Sequence, residues 1–163
     1  MSVQERYIEG LDFFRVVEFF KDKDNHLKSK VIPNDEERID GMSRYYVYAH
    51  YVEDELVYIG ESSDTLKRRM NYYCCHVGVT NVRVRKYFND QFKRKKTSDI
   101  CTFIHLPERI VLTESITINP YVAVEQVLIN RLKPKLNRKD VLDLTKKPRY
   151  YSNRKNINND PGR

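Results

Sequence analysis

Two β-prone runs lie almost back to back in the middle of the chain, and they constrain the fold more than any other feature. Residues 44–52, RYYVYAHYV, and residues 56–60, LVYIG, are dense in aromatic and β-branched side chains, with Glu53-Asp54 as a turn between them. Such a pair reads as an antiparallel hairpin. Alternation along each strand then sorts the side chains by face. Val47 and Ala49 join Val57 and Ile59 in a core, while Tyr46, Tyr48 and His50 point the other way with Tyr58. Gly60 ends the second strand and admits close backbone approach.

The flanking segments alternate between helical and extended patterns. A helix is expected from Asp64, with Leu66, Arg69, Met70 and Tyr73 sharing one face and Arg68 off it. A second helix is expected from Asn81 to Lys95, buried along Val84, Phe88 and Phe92. Cys101 to Leu106 reads as a strand, and residues 109–116 are β-prone but ambiguous. Asn119 as N-cap and Pro120 at N1 start a third helix, which Pro134 stops. Its apolar stripe is Tyr121, Leu128, Ile129 and Leu132, with Glu125 set in the middle. Near the N-terminus, FFRVVEFF (13–20) and Leu27 to Ile32 form a hairpin around KDKDNH, closed by Pro33. The expected organisation is an N-terminal β-hairpin extension (1–43), a central α/β (α+β) domain (44–138) and a basic C-terminal tail (139–163).

Charge is divided unevenly along the chain. Residues 1–64 carry 8 Lys and Arg against 15 Asp and Glu, a net of −7. Residues 65–163 carry 22 against 8, a net of +14, so the whole chain is at +7. A basic C-terminal part suits a polyanion, because Lys and Arg that neutralise phosphates supply most sequence-independent affinity for nucleic acid. No apolar run approaches the ~20 residues of a membrane span, and residues 1–10 lack a signal-peptide core, so the expected location is cytoplasmic. Cys74, Cys75 and Cys101 form no CxxC pair, which argues against a zinc or disulfide framework.

Two charges interrupt apolar helix faces, Arg69 and Glu125. A charge in such a place is costly unless it is paired or functional. Two readings stand: a structural ion pair, or a reactive site.

The order of the surrounding residues is more specific. Tyr46-Val47-Tyr48 precedes Tyr58-Ile59-Gly60 by nine residues; Arg69 follows Leu66 by three, with Tyr73 one turn on; Glu125 opens EQVLINRLKPKLN, which ends at Asn137. This set resembles the signature of the GIY-YIG nucleases, over residues 44–138. DELVYIG (54–60) and Asn71-Tyr72-Tyr73 are most like the phage endonuclease II branch of that family, and the hairpin of residues 13–32 is similar too. The sequence departs from the family pattern in three places. Tyr46 stands where the family name has glycine. Arginine falls nine residues after Gly60 rather than eight, so a count from Gly60 nominates Arg68 and a count from Leu66 nominates Arg69. Helix face fixes side-chain direction, which selects Arg69. Glu61 stands where many relatives have Lys, Ser or Thr.

The resemblance implies a small three-stranded, mainly antiparallel sheet flanked by helices. It also implies a metal-dependent DNA endonuclease that leaves 5′-phosphate and 3′-hydroxyl ends, of the phage type that degrades host DNA inside an infected cell. A sequence-specific restriction endonuclease and a non-catalytic DNA-binding module are the alternatives. Glu125 would hold Mg²⁺ or Mn²⁺, since hard cations accept one carboxylate and several waters. Arg69 would grip a phosphate oxygen. Tyr48 is the favoured base and Tyr58 the other candidate, Tyr73 would join their hydroxyl cluster, and Asn137 would support the site. His50, on the Tyr48 face, ranks below the tyrosines as a base. Arg68, Arg83, Lys86, Lys93, Arg94, Lys133, Lys135 and Arg138 are candidate contacts to double-stranded DNA. One site cuts one strand, so double-strand cleavage implies a homo-oligomer, a dimer or tetramer. The acidic N-terminal hairpin is its candidate subunit contact.

Overall fold

In the computed structural model, residues 5–94 and 99–137 are described. The central hairpin is there: β4 (Tyr46–Val52) pairs antiparallel with β5 (Glu55–Ser62). On its other edge β4 pairs with β6 (Ile100–His105), which completes the expected three strands. The sheet does not stop there. β2 (Leu11–Lys21) pairs with β6, and β1 (Glu5–Ile8) and β3 (Leu27–Val31) lie end to end along the far edge of β2. The antiparallel sheet therefore has six strands, not three. The reason lies in β2. It is 11 residues long, and Phe13, Val16, Val17 and Phe19 are all buried, so it needs cover on both faces and a partner on each edge.

Three helices cover the sheet. α1 (Leu66–Cys75) and α2 (Val79–Arg94) enclose one core with Tyr46, Tyr48, Tyr58, Met70, Tyr73, Val84 and Phe88. α3 (Tyr121–Leu132) closes a second core on Val47, Ala49, Ile59 and Phe103, through Leu128 and Ile129. β7 (Ile110–Thr113) and β8 (Ile116–Ile118) form a separate two-stranded ribbon just before α3. Among the described residues no helix is long and apolar enough to cross a membrane.

Local chemistry moves several expected boundaries. α1 is capped by Thr65, not Asp64; the Asp64 carboxylate accepts from the Thr65 amide instead. Pro120 takes the N-cap of α3, one position later than expected, and Lys133 ends the helix in the left-handed region at φ 46°. The face assignment of Val57 is also wrong. A register shift between His50 and Tyr51 leaves Val57 unpaired opposite β4, and this bulge turns it into the tyrosine core.

Among the described residues the outer edge of β5 has no strand partner, and the turn after α3 covers it. Asn137 Oδ1 accepts from the Ile59 amide (2.9 Å), and its Nδ2 donates to the Ile59 carbonyl (2.8 Å). The Leu136 amide donates to the Val57 carbonyl at 2.9 Å. Asn137 thus fills the place of a neighbouring strand. Asn137→Ala should lower stability by about 1–3 kcal/mol, because two partly buried backbone groups lose their partners. Urea unfolding followed by circular dichroism would measure it, and an unchanged midpoint would contradict the clamp.

Candidate active site

The site begins with a missing side chain. Tyr48 and Gly60 are directly opposed across β4 and β5, and a methyl at Gly60 would overlap the Tyr48 hydroxyl and come within 2.8 Å of Tyr58 Cε1. The phenol of Tyr48 lies flat over the glycine, fully buried. Its oxygen is 2.7 Å from the Tyr73 hydroxyl. Arg69, one turn before Tyr73 on α1, donates from Nη2 to both oxygens, at 2.7 Å to Tyr48 and 2.9 Å to Tyr73. Its Nη1 donates to Asn81 Oδ1 of α2 at 2.9 Å. Asn81 was no more than a helix start in the sequence, and no spacing rule links it to Arg69.

Among the described residues, three of the five guanidinium N–H groups are then committed, and two are not. Tyr58 stands beside Tyr48, ring centroids 6.1 Å apart. It is 8% exposed, and a hydrogen bond with Tyr73 works against the rise of its pKa. His50 lies behind them. Its ring stacks on Tyr58 at 5.6 Å, and its Nδ1 is 2.7 Å from Thr102 Oγ1. Burial, with Arg69 nearby, holds its pKa well below the usual histidine value, so it stays neutral.

Burial pushes the tyrosines up. Tyr48 rises to about 12, with Arg69 and the Tyr73 hydrogen bond working in the opposite direction. Tyr58 and Tyr73 are raised as well, again first through burial.

Glu125 lies on α3, the helix whose Leu128 and Ile129 close the second core, and its charge acts on Tyr48 and Tyr58. No ion pair joins Glu125 to Arg69 among the described residues, which removes the structural-pair reading; Arg69 acts on it only at longer range. The Glu125 pKa is raised to about 7, first by burial and then by the neighbouring Glu61 carboxylate, while a 3.3 Å bond from Gln126 and Arg69 lower it. Glu61 is itself raised by burial. A half-buried carboxylate pair without a close cation is the donor chemistry of a hard divalent ion, and Glu125 fits that role. A second acidic group, Asp22, Asp24 and His26, lies in the β2–β3 turn. There Asp22 Oδ1 already accepts the amides of Asp24 and His26, as a turn residue does.

No family model and no curated protein sequence matches the chain. Among solved structures, that of a mutant of bacteriophage T4 EndoII aligns with a TM-score of 0.59 and 22% identity, over 77% of this chain and 92% of that one. This chain has the fold of EndoII. It resembles EndoII, a GIY-YIG nuclease, as its signature residues imply. The restriction endonuclease HPY188I in complex with product DNA also aligns, with a TM-score of 0.46 and 16% identity, over 80% of each chain.

On this EndoII-like fold the other candidates scatter. Lys86, Lys93, Arg94 and Lys133 are exposed. Arg68 is exposed, with Asp64 at 3.3 Å. Arg83 is partly buried, with its Nε unpartnered. Lys135 is engaged, 2.7 Å from Glu55 and over the Tyr87 ring. Arg138 and residues 139–163 lie outside the described residues.

The Glu125 shift has a stability consequence. An acid whose pKa is raised on folding is destabilising once ionised, so stability falls as pH rises from the unfolded value of 4.5 to about 7. Glu125→Gln should therefore stabilise the metal-free protein at pH 8 by on the order of 1–2 kcal/mol, and leave it unchanged at pH 4. Thermal melts in EDTA at the two pH values check this; equal effects at both would refute it.

Proposed function

We propose that this chain is a metal-dependent DNA endonuclease that hydrolyses phosphodiester bonds to 5′-phosphate and 3′-hydroxyl ends, in the manner of a phage enzyme degrading host DNA. The observation that carries the reading is the Arg69 fork. One guanidinium holds two tyrosine hydroxyls and, among the described residues, keeps two donors free, with the Glu125 carboxylate near enough to feel its charge.

The roles follow from the geometry. The remaining N–H groups of Arg69 bind a non-bridging phosphate oxygen and hold the phosphorus against the Gly60 edge. Tyr48 accepts the proton of the attacking water, because its oxygen receives the Arg69 hydrogen bond that favours a phenolate. Tyr58, beside Tyr48, orients that water. Tyr73 fixes the direction of the Tyr48 lone pairs. Asn137 holds the strand that carries Tyr58 and Gly60. A bound Mg²⁺ or Mn²⁺, held by Glu125, would neutralise charge on the phosphate and the leaving oxygen.

The basic C-terminal part, net +14 over residues 65–163, supplies the sequence-independent attraction to double-stranded DNA. Two such sites acting together, in a homodimer or tetramer, would cut both strands.

Wild type should nick supercoiled plasmid in Mg²⁺ and not in EDTA, and Glu125→Ala should be inactive in both. DNA retained in a mobility-shift assay without cutting, under every metal condition, would replace this reading with the binding module. Tyr48→Phe should lower the cleavage rate by roughly 10²–10⁴. With the Tyr48 pKa near 12, the wild-type rate should keep climbing between pH 7 and pH 9. A plateau in that window would exclude Tyr48 as the base.

A further inference from the structure

Arg69 is anchored at two of its nitrogens, and only one of the anchors belongs to the tyrosine cluster. Nη2 donates to the hydroxyls of Tyr48 and Tyr73, at 2.7 and 2.9 Å. Nη1 donates to Asn81 Oδ1 at 2.9 Å. A planar group held at one atom can still swing about that atom. A bond to a second nitrogen sets the plane of the guanidinium and the direction of its remaining donors. Among the described residues Asn81 supplies that bond.

The chain presents the amide with care. Asn81 stands in the first turn of α2, three residues after Gly78. A Cβ at Gly78 would come to 3.3 Å from Asn81 Nδ2, so the bare turn gives the amide its room. The two helices have ties of their own. Arg85 Nη1 donates to the carbonyls of Cys74 (3.2 Å) and His76 (3.3 Å), which fastens α2 to the end of α1. Met70 and Tyr73 of α1 also share one core with Val84 and Phe88 of α2. Losing the Asn81 bond therefore leaves the helical layer in place and frees the guanidinium.

The anchor is also neutral. A carboxylate at this point would accept the same hydrogen bond and answer the arginine charge as well. An amide carbonyl accepts the bond and brings no charge. All three partners of Arg69 are of this kind, two phenols and one amide. The guanidinium is thus oriented with its positive charge left for an anion.

We propose that Asn81 is a positioning residue for the reaction: it acts through Arg69, fixing the direction in which the guanidinium meets the phosphate while leaving its charge unpaired. The inference rests on the endonuclease reading and adds to it a residue outside the signature.

The test compares wild type, Asn81→Ala and Asn81→Asp on plasmid in Mg²⁺. Cleavage rate at saturating DNA, DNA affinity in EDTA and melting temperature are measured for each. Asn81→Ala should cut at least about tenfold more slowly at saturating DNA, because a misdirected group loses its alignment with the phosphate. Its DNA affinity should stay within about twofold, since many dispersed Lys and Arg contacts supply that affinity. Asn81→Asp keeps an acceptor of the same reach and adds a charge. It should melt no lower than wild type and still cut at least about tenfold more slowly, because the carboxylate takes up the Arg69 charge. A residue that only held the helices would give the opposite pattern, with Asn81→Asp at the wild-type rate. That outcome overturns the proposal. So does Asn81→Ala cutting as fast as wild type, or a loss confined to DNA affinity. Should Asn81→Ala not fold, Asn81→Asp carries the test alone. The endonuclease reading fails separately: if wild type cuts no plasmid in any metal, that reading falls and takes this inference with it, whereas metal-dependent cutting indifferent to Asn81 sinks only the inference.

Discussion

Everything at this site depends on the contact between the Tyr48 phenol and Gly60. A phenol can lie across a strand only where the strand has no side chain, and any Cβ at Gly60 would displace both tyrosines. Once the Tyr48 oxygen is fixed, Tyr73 and Arg69 are fixed by hydrogen bonds of 2.7 to 2.9 Å, and Asn81 ties the guanidinium to a second helix. These groups come from β4, α1 and α2, so the fork also locks the helical layer to the sheet. Arg69 does two jobs here. It satisfies buried hydroxyls that would otherwise be costly, and through Asn81 it holds α1 against α2.

The strengths and failures of sequence reading follow from range. Tyr48, Tyr58, Arg69 and Tyr73 were legible because strand alternation and helix spacing are local rules, and they place these side chains on facing surfaces with no knowledge of the whole. The structure brings them together as those rules require. Glu125 was legible as a charge in an apolar stripe. The six-stranded sheet was not, because the pairing of β2 with β6 joins residues more than 80 positions apart, and nothing in either strand names its partner. Val57 was misplaced for a smaller reason. A bulge shifts the register by one residue, and a period of two cannot show where it will fall.

Asn81 and Glu61 mark a different boundary. An asparagine at a helix start has many uses, and only the tertiary position of Arg69 gives it this one. Glu61 was visible as a departure from the family pattern, but its effect on Glu125, a rise in that carboxyl's pKa, depends on a helix about 60 residues later. The alternation that was read correctly for the tyrosines also aims Glu61 at the other layer. The candidate residues are thus shared between two layers, the tyrosines in one core and Glu125 on the helix that closes the other.

That division has a consequence for biosynthesis. The groups from α1 and α2 can pack as soon as β4, β5 and the first helices have left the ribosome. Glu125 and the Asn137 clamp are the last described parts of the chain to emerge. Until then the outer edge of β5 lacks this cover, and the Arg69, Tyr48 and Tyr73 cluster stands without Glu125. A nascent or truncated chain ending before residue 137 therefore exposes an open strand edge, a template on which another chain can pair.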